Sequence, residues 1–316
     1  MDRIIDIINR YKYFLITSHV RLDGDALGSE LALYQMLTYS GKEAVVYNQD
    51  ETPGNYCFLP GCDTIIHKLS TLDNYDVVFV LDCSDLDRVG AEAPRIGNME
   101  RIINIDHHVS NGNYGNIIFT DHQASSTAEI LYRLILKMNV DITKDMATNL
   151  YTAILTDTGG FCYANTKKDT LMAAGTLVGK GADPQWISEN IYESNPLSKV
   201  RLMTKALETL AFDWDKKVGY MVVSRKDIED VGAGDEHTEG FVDIPRSIQG
   251  VEVSILFIEL SEHQFKLSLR SKGKVNVERV AATFGGGGHI NAAACHIDGN
   301  FKTVLYRVLN AIKDRS

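Results

Sequence analysis

The chain has 316 residues, 44% of them hydrophobic and 23% charged, and a formal net charge of −10. That length exceeds one typical domain and predicts two lobes of a globular protein. The acidic balance excludes a protein that grips long nucleic acid along its backbone, and no apolar run approaches the ~20 residues that span a bilayer.

The amino terminus, MDRIIDIINRYKYF, is interrupted by charges and lacks the apolar core of a signal peptide, so a cytoplasmic protein is expected. The five cysteines are odd in number and scattered, which does not suggest a disulfide framework. Cys57 and Cys62 form a C-x4-C pair with no second pair nearby, and read as ordinary reduced thiols rather than a zinc site.

In chain order, residues 13–18, 44–47, 77–81 and 101–105 carry β-rich apolar runs, while 28–39 and 125–138 have helical spacing. Strands alternating with helices imply a parallel sheet with helices on both faces. Residues 143–210 are mainly helical, with breaks at Gly159-Gly160, at 181–184 and at Asn195-Pro196, and 197–210 fits a connecting helix. Beyond it, 218–223, 251–259 and 265–271 predict strands, and 277–284 predicts a short amphipathic helix leading into the glycines 285–288. The expected organisation is an α/β domain over residues 1–190, a connection over 191–210 and a smaller α/β domain over 211–316.

Ligands of open α/β sheets bind beyond the carboxyl ends of the strands, and here those ends are acidic. The first run leads into SHVRLDGDALGS, which places His19, Asp23 and Asp25 on a loop before a helix opening near Gly28-Ser29. Asp82 ends VVFVLD, Asp106-His107-His108 ends IINIDHH, and Asp157 ends the helical run TAILTD before two glycines. Each has a plainer reading: D-G-D as a solvated turn, Asp82 as a helix cap, the His pair as structural, Asp157 as a turn former. Four apolar segments delivering carboxylates or imidazoles to one edge is what a metal cluster requires.

Asp23, Asp25, Asp82 and Asp157 in one cleft could not all stay ionised without neutralisation. Two divalent cations would balance them, with neutral His19 and His107 as additional ligands. Oxygen and imidazole ligation without thiolate favours Mn²⁺, with Mg²⁺, Fe²⁺ or Co²⁺ as alternatives and Zn²⁺ less suited.

These motifs, in this order, resemble those of the DHH-family phosphoesterases, named for the triplet at Asp106-His107-His108. The stretch GGGGHINAAA over 285–294 is similar to the family's associated substrate-binding domain. The segment ASSTAE over 124–129 and SLRS over 268–271 look most like the nanoRNase subgroup, the bifunctional oligoribonuclease and phosphoadenosine-phosphate phosphatases. The resemblance implies a catalytic first domain and a substrate-binding second one. It implies one metal on His19, Asp23 and Asp82 and another on Asp25, Asp82, His107 and Asp157, with Asp82 bridging. Asp106 would support a neighbouring ligand, and His108 would face the substrate phosphate.

Gly286, Gly287 and Gly288 let backbone N–H groups approach an anion closely, with His289 adjacent; a flexible turn after a helix is the plainer reading. Arg270, at the end of an apolar strand, offers a fork to a second phosphate or simply faces solvent. The resemblance implies that these residues bind the nucleotide end away from the metals. Three positions depart from the family pattern: Leu22 for proline, Cys162 for arginine and Ala294 for glycine.

The expected activity is hydrolysis of short oligoribonucleotides to mononucleotides, with removal of the 3′-phosphate of phosphoadenosine phosphate. Alternatives are a cyclic- or linear-dinucleotide phosphodiesterase, a pyrophosphatase or exopolyphosphatase, and a nucleotide-sensing module without turnover. Expected partners are a short RNA or small nucleotide and a second copy of the chain as a homodimer, with no long nucleic acid and no membrane.

Overall fold

The computed structural model describes residues 1–213, 215 and 217–314 and divides into two compact units, Met1–Ser194 and Asn195–Ser316. Positions 214, 216, 315 and 316 of the expected second domain lie outside the described residues. No helix among the described residues is long and apolar enough to cross a membrane.

The first unit runs α1 (Asp2–Arg10), β1 (Tyr13–Thr17), α2 (Gly24–Tyr39), β2 (Glu43–Val46), β3 (Val77–Leu81), α3 (Ala93–Ile96), β4 (Ile102–Asp106), β5 (Ile117–Thr120), α4 (Thr127–Lys137), α5 (Lys144–Asp157), α6 (Lys168–Gly179) and α7 (Pro184–Tyr192). Its five strands are all parallel, in the order β2-β1-β3-β4-β5. Both faces are buried, which explains why β3 reads as an unbroken apolar run. Val77, Phe79 and Leu81 join one core with α1, α2, α4 and α5, while Val78 and Val80 join another with Val89, Ala93 and Ile96. The chain passes from β1 outward to β2 and back to β3 on the other side of β1. The loops leaving β1 and β3 therefore diverge at a topological switch point, where such sheets bind ligands.

The second unit contains α8 (Leu197–Glu208), β6 (Ala211–Asp213), β7 (Val218–Val223), α9 (Arg225–Val231), α10 (Asp243–Ser247), β8 (Val253–Ser261), β9 (Gln264–Ser271), α11 (Val277–Ala282), β10 (Gly287–His289), β11 (Ala292–Asp298) and α12 (Phe301–Lys313). Its mixed sheet has the order β10-β11-β9-β8-β7-β6, with only the β7–β8 pair parallel. Helices α11 and α12 cover one face. On the other face α8, α9 and α10 pack over β7 and β8, and α10 also contacts β9.

The expected α/β class, a parallel sheet with helices on both faces plus a smaller α/β unit, is the observed one. Two details differ. Helix α2 starts at Gly24, four residues before the expected opening, because Asp23 caps it: Asp23 Oδ1 accepts from Asp25 N at 3.1 Å and Ala26 N at 3.0 Å. The run after α11 is partly strand rather than only loop, since Gly287, Gly288 and His289 pair with Ala294, Ala293 and Ala292.

Candidate metal centre

Each site residue stands where an element of the first unit ends. His19 and Asp23 occupy the loop after β1, and Asp25 lies in the first turn of α2. Asp82 follows β3, Asp106 closes β4 and is followed by His107 and His108, and Asp157 is the last residue of α5. Left-handed Gly159 and Gly160, at φ 57° and 69°, turn the chain away behind Asp157. Gly28 brings α2 and α5 together: a Cβ there would lie 2.4 Å from Asn149 O, so only glycine lets the helix carrying Asp25 approach the one carrying Asp157.

Among the described residues the side chains form two separate triads, His19/Asp23/Asp82 and Asp25/His107/Asp157, and a third, Asp82/His107/His108, that shares members with both, each with its donor atoms within 4.8 Å of one another. His19 Nε2 is 3.6 Å from Asp82 Oδ2 and 3.8 Å from Asp23 Oδ2. His107 Nε2 is 3.6 Å from Asp82 Oδ1, 3.6 Å from Asp157 Oδ2 and 3.8 Å from Asp25 Oδ2. These separations are too long for hydrogen bonds. They lie a few tenths of an ångström beyond the roughly 3 to 3.5 Å that separates ligands about 2.1 Å from one cation, so small side-chain movements would let them share an ion. The tautomer suits ligation at His19: its Nδ1 lies 2.8 Å from Val20 O, which takes the ring proton and leaves the Nε2 lone pair toward the carboxylates. The oxygen and imidazole donor set fits a divalent ion of the manganese or magnesium type, and the two carboxylate oxygens of Asp82 point one toward each triad.

The electrostatics show what the four acids cost together. Burial, then repulsion from Asp82 and Asp157, pushes Asp25 far above the usual carboxylate range. Burial likewise raises Asp157 to about 7, with His107 opposing and Asp82 and Asp23 reinforcing the rise. Asp82 goes the other way: burial opposes ionisation, but the His19 ring 3.6 Å away and the nearby His108 and His107 rings hold it well below its ordinary value. Asp106 Oδ1 meets His108 Nδ1 at 2.6 Å and accepts from the backbone N–H of His107 and His108. Against its own burial, that contact lifts His108 to about 9. Asp106 thus braces His108.

Sequence reasoning passed over several groups that hold the acids in place. The amino terminus of α4 points at Asp25, with Thr127 N donating to Oδ2 at 2.7 Å and Ala128 N to Oδ1 at 3.0 Å, where the helix dipole favours an anion. Thr127 Oγ1 also donates to Asp82 Oδ1 at 3.0 Å. Thr127 lay within the ASSTAE segment, but nothing in its type distinguishes this role from ordinary helix capping. Glu30, fully buried in α2, accepts from Asn48 Nδ2 at 2.8 Å, while Glu30 Oε1 and Asn48 Oδ1 have no hydrogen-bond partner. Burial raises this carboxyl to about 8, so it is a neutral acid at moderate pH.

The substrate-binding candidates lie in the second unit, in a different pattern from a simple loop. Cross-strand pairing sets Arg270, Ala292 and His289 in one row, so the three share a face of the sheet. Ser268, Ala294 and Gly287 form the next row. Both rows lie on the face opposite α11 and α12, with a floor of small residues between the two basic ones. A Cβ on Gly286 or Gly288 would come within 2.2 Å of Ala294 O or 2.4 Å of Ala292 O, so these glycines serve close backbone packing against β11.

Residues 13–154 match the DHH family, N-terminal domain, and residues 215–315 match the DHHA1 domain. The bifunctional oligoribonuclease and PAP phosphatase NrnA of Thermus thermophilus is 35% identical over 300 residues, covering 95% of this chain and 89% of that protein. This chain belongs to the DHH family of phosphoesterases. The probable NrnA of Streptococcus mutans is 28% identical, with 90% of each chain covered. A crystal structure of an exopolyphosphatase-related protein from Bacteroides fragilis superposes with a TM-score of 0.93 at 30% identity, over 99% of this chain and 95% of that one. Like other members of its family, the chain is a metal-dependent hydrolase of phosphate esters.

Proposed function

We propose that this enzyme uses two divalent ions, Mn²⁺ by preference, to hydrolyse short oligoribonucleotides to mononucleotides and to remove the 3′-phosphate of phosphoadenosine phosphate. The observation that carries the reading is the pair of triads with Asp82 in contact with both imidazoles. His19, Asp23 and Asp82 would hold one ion, and Asp25, Asp82, His107 and Asp157 the other. When bound, such a pair acidifies a water, polarises the phosphoryl oxygens and neutralises the charge that develops on them.

The chain's own residues supply the rest. Asp106 fixes the His108 ring through Nδ1 and so orients its other nitrogen, which would meet a phosphoryl oxygen of the substrate. Arg270, His289 and the glycines Gly286, Gly287 and Gly288 would bind the part of the substrate away from the scissile phosphate, across a small-residue floor that a base or ribose can approach. Residues 1–190 form the catalytic domain and 211–316 the substrate-binding domain in this reading. The five free cysteines suit a reducing, cytoplasmic setting.

The likeness to NrnA proteins over most of both chains supports the oligonucleotide and PAP substrates. The likeness to an exopolyphosphatase-related protein supports a second reading, hydrolysis of pyrophosphate or polyphosphate. A complete set of ligand positions speaks against a sensing module without turnover. The test is a turnover panel with Mn²⁺: a diribonucleotide, a 24-nucleotide RNA, phosphoadenosine phosphate, a cyclic dinucleotide and pyrophosphate. Turnover of the diribonucleotide and phosphoadenosine phosphate, with slower attack on the long strand, is expected, and Arg270→Ala should raise KM for the diribonucleotide. Turnover of pyrophosphate alone would replace this reading with the second.

A further inference from the structure

Asp82 is the ligand on which both triads depend, and its backbone is unusual. It sits at φ 51°, in the left-handed region that a non-glycine residue keeps only where its surroundings hold it. On its amino side the turn continues the sheet, with Asp82 N donating to Ile105 O at 3.0 Å. The remaining restraint comes from side chains outside the ligand set. Asn104, fully buried on β4, directs its amide nitrogen at Val80 O (3.3 Å) and Cys83 O (3.2 Å), the carbonyls that bracket Asp82. Tyr114 donates its hydroxyl to the same Cys83 carbonyl at 2.7 Å and accepts from Asn104 Nδ2 at 3.0 Å.

The network also reaches the other side of the site. Asn111 Nδ2 donates to Asn104 Oδ1 at 2.8 Å and to Asp106 Oδ2 at 2.6 Å, and Asp106 Oδ1 holds His108. Because Asn113 N donates to Asn111 Oδ1 at 2.8 Å, the orientation of both amides is fixed. One chain of hydrogen bonds therefore joins the turn that aims Asp82 to the carboxylate that aims His108.

We propose that Asn104 and Tyr114 are positioning residues: they hold the Asp82 turn in its left-handed conformation and, through Asn111 and Asp106, set it in register with His108. This inference rests on the two-metal reading above and deepens it. Freed of the clamp, Asp82 would rotate toward ordinary extended backbone and its two oxygens would no longer face both triads. Metal affinity and turnover would then fall together, at the tenfold to hundredfold scale of residues that orient metal ligands.

The test measures Mn²⁺ binding to metal-free protein by calorimetry, with kcat and KM for a diribonucleotide, in wild type, Asn104→Leu, Tyr114→Phe and Ile103→Val. Ile103 is on the same strand and belongs to the core with α2, so its substitution reports what a purely structural loss does: a lower Tm with Mn²⁺ affinity unchanged. Asn104→Leu should weaken Mn²⁺ binding tenfold to a hundredfold and lower kcat at least tenfold. Tyr114→Phe, which keeps the ring and loses one donor, should weaken binding severalfold with KM unchanged. If Asn104→Leu does not fold, Tyr114→Phe decides. Folded variants that bind Mn²⁺ within twofold of wild type and keep kcat would overturn the clamp, whereas a wild type that binds no Mn²⁺ would instead overturn the metal reading.

Discussion

Asp82 concentrates the chemistry because its two oxygens serve two imidazoles, His19 and His107, at 3.6 Å each. Asp82→Ala should empty or scramble both triads and reduce turnover by on the order of a thousandfold, the scale of losing a key electrostatic stabiliser. Steady-state turnover of a diribonucleotide checks this, and a loss under tenfold contradicts the assignment. Glu30 yields a prediction of a different kind. Burial raises its folded pKa to about 8, against the Asn48 hydrogen bond and the nearby His19 and with Asp82 and Asp23 reinforcing the rise. The folded state therefore binds a proton that the unfolded chain releases near pH 4.5, so stability from this group is full below that pH and is lost as pH rises toward 8. A protonated Oε1 also becomes a donor that can satisfy Asn48 Oδ1. In chelator-treated protein, the Tm advantage of Glu30→Gln over wild type should grow between pH 5 and pH 8. A constant difference would mean that Glu30 is ionised throughout. The acidic ligands were legible in the sequence because charged residues ending apolar runs are conspicuous. Asn104, Tyr114 and Thr127 were not, because their roles arise from hydrogen bonds across up to 102 positions that no local pattern records.

At the scale of elements, the site depends on how closely α2 and α5 approach. Gly28 lies between them, and the added methyl of Gly28→Ala would meet Asn149 O, a backbone atom that cannot swing away. Overpacking of this sort costs about 1–3 kcal/mol, so Tm should fall by several degrees. Because the displaced helices carry Asp25 and Asp157, Mn²⁺ affinity should fall as well. An unchanged Tm by differential scanning calorimetry would contradict the contact. The same glycine accounts for a misreading. Gly28-Ser29 has the composition of a helix start, yet Gly28 lies within α2 because packing outweighs its poor helix propensity. Strands β10 and β11 were hidden for a related reason: glycine- and alanine-rich stretches have little β propensity of their own, and here pairing of β11 with β9, and of β10 with β11, makes them strands.

At the scale of the whole molecule, alternating strands and helices, a change of pattern after residue 210 and a length near two domains made the two-unit α/β organisation legible. The order of strands was not, since periodicity does not say which run pairs with which. That order matters for function: only the β2-β1-β3 arrangement puts the loops after β1 and β3 on either side of a switch point, where His19, Asp23 and Asp82 meet. The site then gathers four carboxylates that two divalent ions would neutralise. The most direct test of this account is the initial rate of mononucleotide release from a diribonucleotide as metal-free protein, held well above its dissociation constant for the ion, is titrated with Mn²⁺. The account predicts negligible release without metal and a rate that climbs to a plateau at two equivalents per chain; full release in excess chelator, or a plateau at one equivalent, would contradict it.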